Sequence, residues 1–588
     1  MSFFEFPHNR TYDSDLGWLI RHVKDNIDAI DNINEWISNR EPDPEILDFS
    51  KVYNTIYEYE GIDDSGNTDV STALAAISDN IGLRSGRYLI ANDCTLKINI
   101  AIPEGAEFVV ESGVTLRIEG FINAGRYKIF SGSGDVQLRG NNTIYPEWFG
   151  AVNDGTTDCY EAFTKCFNSF FRGFVSLKGG STSQAASGVW QPSETNYFVS
   201  QPILFNKAYS RLGCDSGYAV ITTNGNNAII IGSGNNSEQL EHIQVDHICV
   251  CICNAIEKTM TAPNNYAVQF IGTQSGYFHK IRVIGSPCAY YFSNNTGSTW
   301  DFVKTTPATN NLLSGDVRNF WIDCNTKNWS SRFNHCSVSY GGTSGNSTAF
   351  CITGDIITDL FFNTCEVNHV TNAVEMTTVN GKSFVNIKFT DCIFDKVARC
   401  FIDLNDNNSM GDVIFNGGYF ERSSGATVPA FYFHSDLTTA RNTKIILSDC
   451  MIWDDTRDIY SVAQEITGAL LVMTNVFFKN CGNCFDSKAG NFRLQNNIFH
   501  NTSGGDFESF VKVEGSSQGN VTGCYFNNQA GNSTMEALLK LLDSSNTDVI
   551  TNTFAGYYTA IFSTTAHSSV IINRQTTNEN KIPGFTHA

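Results

Sequence analysis

Three carboxylates, Asp395, Glu421 and Asp454, lie just after equivalent apolar positions in the second half of the chain. Two positioned carboxyl groups can act as a general acid and a general base, or as an acid and a nucleophile. Tryptophan stacks on apolar ring faces, and amide and guanidinium groups hydrogen-bond hydroxyls. The sequence therefore predicts a saccharide site with these carboxylates as catalytic residues. The predicted binding residues are Asn368, His369, Lys396, Arg422 and Trp453.

A repeat of short segments predicts that these residues stand in columns. Nine segments align and end at Val338, Val367, Phe394, Phe420, Ile452, Phe478, Phe499, Phe526 and Phe554. Their ends are 21 to 32 residues apart, which is typical of one coil of a parallel β-helix. The residues one and two places further on are predicted to form two outward columns. The first column is Ser339, Asn368, Asp395, Glu421, Trp453, Lys479, His500 and Asn527; the second is Tyr340, His369, Lys396, Arg422, Asp454, Asn480, Asn501 and Asn528.

The spacing of the carboxylates predicts the stereochemistry of such a site. Adjacent coils of a parallel β-helix lie ~4.8 Å apart. Asp395 and Glu421 on adjacent coils would approach the ~5 Å of a retaining glycosidase, whereas Asp395 and Asp454 would approach the ~6.5 to 9.5 Å of an inverting one. A solvated ladder of ion pairs or a trimer contact would have the same charge pattern and remains an alternative. Other carboxylates stay open as candidates: Asp355, Asp359, Glu366, Glu375 and Asp455.

The repeat also accounts for part of the 18 cysteines. Five of them share one repeat position, which predicts an inward ladder of small apolar side chains: Cys336, Cys365, Cys392, Cys450 and Cys524. Two further groups have spacings that occur in metal sites, Cys249-x-Cys251-x-Cys253 beside His247 and the C-x-x-C pair Cys481 and Cys484. A zinc site needs a second such pair. We therefore expect reduced thiols, no metal site and no cofactor.

Composition restricts the partners. The 588 residues contain 39 Lys and Arg against 60 Asp and Glu, which leaves a net charge of −21. Nucleic-acid binding draws its affinity from cations on phosphates, so no nucleic-acid partner is expected. No apolar run approaches the ~18 residues that cross a bilayer, and no signal-peptide pattern is present at the start. The sequence predicts neither membrane insertion nor secretion by the general route.

Helical patterns occur at two places before the repeat. A heptad seam of Leu16, Ile20, Val23, Ile27, Ile30, Asn34 and Ile37 predicts a trimeric coiled coil, with a helix packed on its own domain as the alternative. Residues 158–170 predict a capping helix with a capping box of Asp158 and Glu161. The predicted organisation is a helical stem at 1–44, a small β-rich head or first coils at 45–145, a linker loop and capping helix at 146–172, and a β-helix at 173–588.

The string YPEWFGAVNDGTTD at 145–158, with the stretch from residue 85 that precedes it, resembles the start of pectate-lyase-like β-helix proteins, a group that includes phage tailspikes. Asn153 stands where that family usually has Gly. The resemblance implies an all-β, right-handed, single-stranded parallel β-helix. The first residues, FFEFPHNRTYDSDLGWLIRHV, resemble the virion-attachment segment of tail appendages from short-tailed phages. That implies a homotrimer attached to phage tail or portal-proximal proteins through residues 1–44 and assembled in the host cytoplasm.

Three functions follow as hypotheses. The first is a tailspike that recognises and depolymerises a bacterial surface polysaccharide. The second is a tail appendage that binds the glycan without cleaving it, and the third is a free polysaccharide lyase. The pectin-hydrolysing branch of the family has an Asp-Asp pair and a Gly-His-Gly motif. This chain has Asp454-Asp455 but no Gly-His-Gly, so polygalacturonase chemistry is not supported.

Overall fold

The structure is a computed structural model that describes residues 54–55, 59–577 and 586–587 with internal gaps, of which the longest are 253–264, 307–316, 435–441 and 530–536. The predicted stem of residues 1–44 and its heptad seam lie outside the described residues. Nearly all paired strands run parallel, as in a solenoid. The described helices are Ser71–Ala75, the 3₁₀ turn Pro146–Phe149, and Tyr160–Asn168.

The first coils, up to residue 144, have three short strands each. Tyr88 pairs with Phe108, and Phe108 pairs with Phe130, so each coil takes 20 to 22 residues. Three small parallel sheets result: Asn54–Thr55, Ile81–Gly82, Ile100–Ala101 and Ile122–Asn123; Ser65–Asp69, Gly86–Ile90, Ala106–Val110 and Phe130–Gly132; and Cys94–Leu96, Thr115–Ile118 and Asp135–Leu138. Side chains alternate inward and outward along these strands, as in Ala106–Val110.

The helix Tyr160–Asn168 lies between these coils and the long sheets. Its buried face carries Phe163 and Phe167, whose rings contact Tyr197 and Phe205. The capping box predicted from Asp158 and Glu161 does not form, because the helix begins two residues after Asp158 without a side-chain cap. Asp158 instead accepts hydrogen bonds from the backbone N–H groups of Tyr160 and Ser200, 3.1 and 3.0 Å away.

Two long parallel sheets form the rest of the solenoid. In the 29-stranded sheet, each coil has a first strand on what we call face A and a second strand on face B. Face A contains Thr143–Ile144, Phe174–Leu177, Arg211–Cys214, Thr299–Asp301, Ser331–Asn334, Leu360–Asn363, Ile387–Thr390, Met410–Asn416, Asn442–Ser448, Leu470–Thr474, Asn491–Gln495, Gln518–Thr522, Asn546–Ile550 and Ser569–Asn573. Face B contains Tyr197–Phe198, Ala219–Thr223, Lys304–Thr306, Ser337–Gly342, Glu366–Val370, Ile393–Val397, Tyr419–Arg422, Met451–Asp454, Phe477–Lys479, Ile498–Asn501, Tyr525–Asn528, Thr553–Gly556 and Thr576–Thr577. Gln244–Ile252 and Tyr277–Ile284 run across both faces.

The 15-stranded sheet is face C. Its strands are Ile203–Phe205, Ile229–Gly232, Val268–Ile271, Tyr290–Ser293, Val317–Asp323, Ser347–Gly354, Asn372–Thr378, Cys400–Asn405, Phe431–His434, Val462–Gln464, Phe485–Ser487, Val511–Val513, Ala537–Leu541, Ala560–Thr564 and Thr586–His587. Three small pairs lie beside the long sheets: Thr182–Gln184 with Trp190–Pro192, Leu240–Glu241 with Thr273–Gln274, and Ile357–Thr358 with Phe384–Val385. The predicted parallel β-helix is confirmed.

The register on face B matches the sequence repeat at every step. The nine aligned residues pair in one continuous column from Val338 to Phe554, and all of them are buried. Residues with positive φ separate face A from face B in each of these coils: His335, Thr364, Asp391, Gly417 with Gly418, Asp449, Asn475, Asn496, Gly523 and Thr551. This column explains the many Asn, Asp and Gly residues of the repeat, because those types tolerate left-handed backbone.

Inside the solenoid, equivalent side chains stack from coil to coil. Phe362, Phe389 and Phe415 lie nearly parallel with ring centroids 4.6 and 4.8 Å apart. The five cysteines of the predicted ladder are all buried and all free thiols, which confirms the inward ladder. Cys481 and Cys484 are also buried free thiols. These stacks are the contacts through which each coil stabilises the next.

Burial predicts that the thiols do not react in the folded protein. Burial raises the pKa of the Cys365 thiol well above its ordinary value, so its reactive thiolate is suppressed. Seventeen cysteines are buried free thiols, and the remaining one, Cys253, lies outside the described residues. Titration with a thiol reagent under native conditions is expected to modify no more than one thiol per chain, against 18 in guanidinium. Rapid modification of several native thiols would contradict the ladder.

Candidate functional site

The first predicted column lies on the outside of face B in register. Asn368 pairs with Asp395, and Trp453 pairs with both Glu421 and Lys479 on the coils at either side. Asp395 and Glu421 each follow one member of the pair Phe394 and Phe420. The sequence prediction that these residues share one outward column is therefore confirmed, whereas their roles as catalytic and binding residues stay predictions.

The contacts in this column tie the functional groups to one another. The Asn368 amide donates to the Asp395 carboxylate across 3.3 Å, and His369 contacts the Asn368 side chain. The Tyr419 hydroxyl donates to the Glu421 carboxylate. The Lys479 ammonium lies 4.1 Å from the centre of the Trp453 ring, over its face. A sugar that stacks on Trp453 at this face would have to displace that cation.

The second predicted column is wrong at Arg422 and Asp454. Both side chains are fully buried, and they form an ion pair in which Arg422 Nε lies 2.9 Å from Asp454 Oδ1. Arg422 also donates to the carbonyls of Arg399 and Val428, and Ser461 donates to Asp454 across 2.8 Å. A pair so enclosed cannot contact a glycan on the outside. The inverting arrangement of Asp395 with Asp454 is therefore not available in this structure.

Strand alternation explains the error. Phe420 points inward and Glu421 outward, so Arg422 points inward again. His369 and Lys396 differ because each has a left-handed backbone, with φ of 55° and 52°. That conformation inserts an extra residue, so that Val397, and not Lys396, pairs with Arg422. The second column therefore joins outward residues in some coils to inward residues in others.

Face C carries a different outward column with carboxylates at its centre. Trp321 pairs with Cys351, which pairs with Glu375, and the register continues through Asp403 to Tyr432. Cys351 is buried, whereas the other four side chains are partly exposed. Five positions at ~4.8 Å per coil span about 19 Å. The column therefore places two acidic groups between two aromatic rings on the outside of the solenoid.

Hydrogen bonds connect the two carboxylates of face C. Asn372 donates to Glu375 Oε1 across 2.6 Å, and Arg399 donates to Asn372 Oδ1 across 3.3 Å. Arg399 Nη1 also lies 3.6 Å from Asp403 Oδ2, and His434 Nε2 lies 2.8 Å from Asp403 Oδ1. Asp403 thus has a guanidinium and an imidazole as neighbours.

The surroundings of Glu375 favour its protonated form. Burial raises the pKa of Glu375, and the negative charge of Asp403 raises it further, against hydrogen bonds from Thr348 and Asn372 and the charge of Arg318. Glu375 therefore keeps its proton to higher pH than an ordinary glutamate. A carboxyl that keeps its proton to higher pH, paired in register with a second carboxyl on the adjacent coil, suits the general acid of glycosidic cleavage.

The sequence reasoning named Glu375 only as one open carboxylate and missed Asp403, His434, Arg399 and Trp321. A signal was present: Glu375, Asp403 and Tyr432 each stand between two apolar residues, at spacings of 28 and 29 residues. These triplets are the face C counterpart of the repeat on face B. Loops of unequal length between faces B and C obscured the alignment, because the repeat was anchored on face B alone.

No group of three or more His, Cys, Asp or Glu side chains within the described part of the chain is arranged to hold a metal ion. No helix within it is long and apolar enough to cross a membrane.

The described chain thus belongs to the class of parallel β-helix proteins, with an acidic column on face C. No protein-family profile and no curated protein matches it. Solved structures that are similar to it include the tailspike protein of E. coli bacteriophage HK620 in complex with a pentasaccharide, at 10% identity and a TM-score of 0.49, covering 74% of this chain and 78% of that one.

Two further similar structures are from other sources. The protein ORF18 of Geobacillus virus E2 is 16% identical with a TM-score of 0.26, over 71% of this chain. This chain spans 62% of that protein's length. The surface protein and adhesin PfbA of Streptococcus pneumoniae is 12% identical with a TM-score of 0.36, covering 73% of this chain and 100% of its own.

Proposed function

We propose that this protein is a phage tailspike that binds a bacterial surface polysaccharide and hydrolyses it at the acidic column of face C. The observation that carries the proposal is the registered series Trp321, Glu375, Asp403 and Tyr432, in which aromatic rings flank a carboxyl pair and burial raises the pKa of its Glu375 member. A column of about 19 Å is long enough for roughly four sugar units at ~5 Å each. The substrate is therefore a polysaccharide chain lying along the solenoid.

In the proposed reaction Glu375 is the general acid and Asp403 the nucleophile. Asp403 attacks the anomeric carbon, the glycosidic C–O bond breaks, and the Glu375 proton goes to the leaving oxygen. Water then attacks the glycosyl ester while the Glu375 carboxylate takes its proton, which releases Asp403. Because the two residues lie on adjacent coils ~4.8 Å apart, the arrangement suits retention of configuration.

The biological setting is proposed from the resemblance at residues 3–23 and 85–158. Residues 1–44 attach the protein to the phage tail, three copies assemble in the host cytoplasm, and the finished spike recognises its host by the glycan. A spike that only binds the glycan is the second candidate, since the partly exposed amide and carboxylate of Asn368 and Asp395 on face B can hydrogen-bond sugar hydroxyls without cleaving the chain.

The test mixes the purified protein with capsular and O-antigen polysaccharides from a panel of bacterial strains. New reducing ends are expected with at least one polysaccharide from a strain to which the protein binds. Binding of a polysaccharide without new reducing ends would support the second candidate, a spike that only binds the glycan. An unsaturated product that absorbs in the ultraviolet would indicate a lyase and overturn the proposed hydrolysis.

A further inference from the structure

A second surface lies over the first coils of the 29-stranded sheet, between Arg172 and His335. It carries cations, imidazoles and exposed aromatic rings, and we call it the cationic ridge. Its residues are Arg172, Arg211, Lys280, Arg282, Lys304 and Arg332, the imidazoles His242, His247, His279 and His335, the rings Tyr209, Tyr277 and Phe302, and the carboxylates Glu241, Asp246 and Asp301.

Two aspartates hold three of the four ridge imidazoles in place. Asp301 lies 3.2 Å from His279 Nδ1 and 3.0 Å from His335 Nδ1, and so bridges two coils. Asp246 lies 2.9 Å from His247 Nδ1 and also binds Arg211 through two hydrogen bonds of 2.6 and 2.9 Å. Because a carboxylate fixes each Nδ1, the Nε2 atoms are left to face other groups. The Lys280 ammonium lies 3.3 Å from His247 Nε2.

Aromatic rings project from the same ridge. Phe302 stacks on His335 with ring centroids 4.5 Å apart, and Tyr277 stacks on His279 at 5.9 Å. Phe302 is 38% exposed and Tyr277 is 44% exposed, although both are large apolar side chains. Rings held rigidly by imidazole stacking, with area left open to solvent, provide platforms for the apolar face of a sugar.

The cations of the ridge stand close together in an acidic protein. Arg282 and Lys304 are register partners on adjacent coils, and like charges directly opposite one another destabilise a sheet. A depression of about 590 Å³ continues the ridge at its earlier end and is lined by Arg172, Tyr209, Arg211 and His242. The ridge has six Arg and Lys against three carboxylates, whereas the chain carries a net charge of −21. An anionic ligand at the ridge would therefore contact several cations.

We infer that the cationic ridge is a second saccharide-binding surface, specific for sugars that carry carboxylate groups. Lys280, Arg282 and Lys304 supply charge-assisted hydrogen bonds to the sugar carboxylates, and Phe302 and Tyr277 stack on the rings. The inference rests on the proposed function in one respect, that the ligand is a polysaccharide. It identifies that ligand as an acidic polymer and adds a holding site apart from the acidic column of face C.

The experiment measures binding of α2,8-linked oligosialate and of oligogalacturonate by calorimetry, each beside its carboxyl-reduced neutral form. The Glu375→Gln variant is used throughout so that the ligand is not cut. At least one acidic oligosaccharide is expected to bind about tenfold more tightly than its neutral form, and more weakly at higher salt. The double variant Lys280→Gln/Lys304→Gln is expected to lose about tenfold in affinity for it.

The double variant Lys388→Gln/Arg493→Gln is a matched control. It removes two cations of face A that lie outside the ridge, and it is expected to bind the acidic oligosaccharide as tightly as before. Equal affinity for acidic and neutral forms, no binding of either acidic probe, or no effect of Lys280→Gln/Lys304→Gln would overturn the inference. A single-stranded DNA 20-mer that binds as tightly would overturn it too, since the ridge would then be an unselective polyanion surface. If the acidic oligosaccharide binds but the wild-type protein hydrolyses no polysaccharide, the ridge is a binding surface and the proposed depolymerase activity is wrong.

Discussion

Replacement of Glu375 by glutamine is expected to lower the rate of polysaccharide cleavage by about 10² to 10⁴-fold while leaving glycan binding nearly unchanged. Glutamine keeps the shape of the side chain and can still contact Asn372, but it has no proton of suitable acidity for the leaving oxygen. The loss therefore falls on kcat and not on KM. Initial rates of reducing-end release over a range of substrate concentrations measure both constants.

The pH profile provides a second readout of the same residue. The acid must be protonated to act, so the wild-type rate falls as pH rises through the pKa of Glu375. Because burial and Asp403 raise that pKa, this fall comes at higher pH than an ordinary glutamate would give. In Glu375→Gln the residual rate is expected to lack this alkaline limb. An unchanged limb would assign it to another group.

The matched control is Glu366→Gln, which changes an exposed glutamate on face B of the same coil. It is expected to cleave at the wild-type rate. If Glu366→Gln and Glu375→Gln behave alike, Glu375 is not the acid. If Glu421→Gln or Asp395→Asn abolishes cleavage and Glu375→Gln does not, the site lies on face B, as the sequence first predicted.

Replacement of Asp454 by leucine is expected to lower the free energy of unfolding by about 3 to 5 kcal/mol. The reason is that Arg422 would stay fully buried with its charge and without its carboxylate partner. Ser461 would also lose the shorter of its two hydrogen bonds and keep the one to the Asn483 carbonyl, 3.3 Å away. The midpoint of guanidinium unfolding, followed by the loss of the β-sheet circular dichroism signal, measures the change.

Two further variants separate this structural role from a catalytic one. The paired replacement Arg422→Met/Asp454→Leu removes both charges and is expected to recover most of the lost stability, because buried ion pairs often exchange for apolar residues at little cost. Asp395→Asn on the outside of face B is expected to leave the midpoint near that of the wild type. A stable Asp454→Leu variant without cleavage activity would contradict the buried pair and restore Asp454 as a catalytic candidate.

The residues that fill the solenoid behind face B could be predicted from the sequence. The nine aligned positions and the five-cysteine ladder depend on one requirement, that each coil buries its side chains against the next. Because of that requirement, the same residue type recurs at a regular interval. The equivalence of Phe394 and Phe420 is therefore apparent from the sequence alone. The outward positions of Asp395 and Glu421 followed from strand alternation in the same way.

The candidate site could be predicted only in part. Arg422 and Asp454 have residue types that usually face water, yet each satisfies its charge on the other inside the solenoid. Both point inward by the regular alternation of their strands, whereas left-handed residues such as Lys396 shift that alternation in other coils. The second predicted column, two residues after the nine aligned positions, therefore contains both inward and outward side chains.

The sequence by itself determined the fold class, the coil register of face B and the identity of the buried ladders, because burial is a local, repeated condition on residue type. Only the tertiary structure decided that Glu375 and Asp403 stand side by side, that Asn372 and Arg399 link them, and that Asp454 is enclosed. Those contacts join residues across loops of unequal length. Because those loops differ in length, the spacing of two residues along the chain does not predict their distance in space. The register of the strands determines that distance.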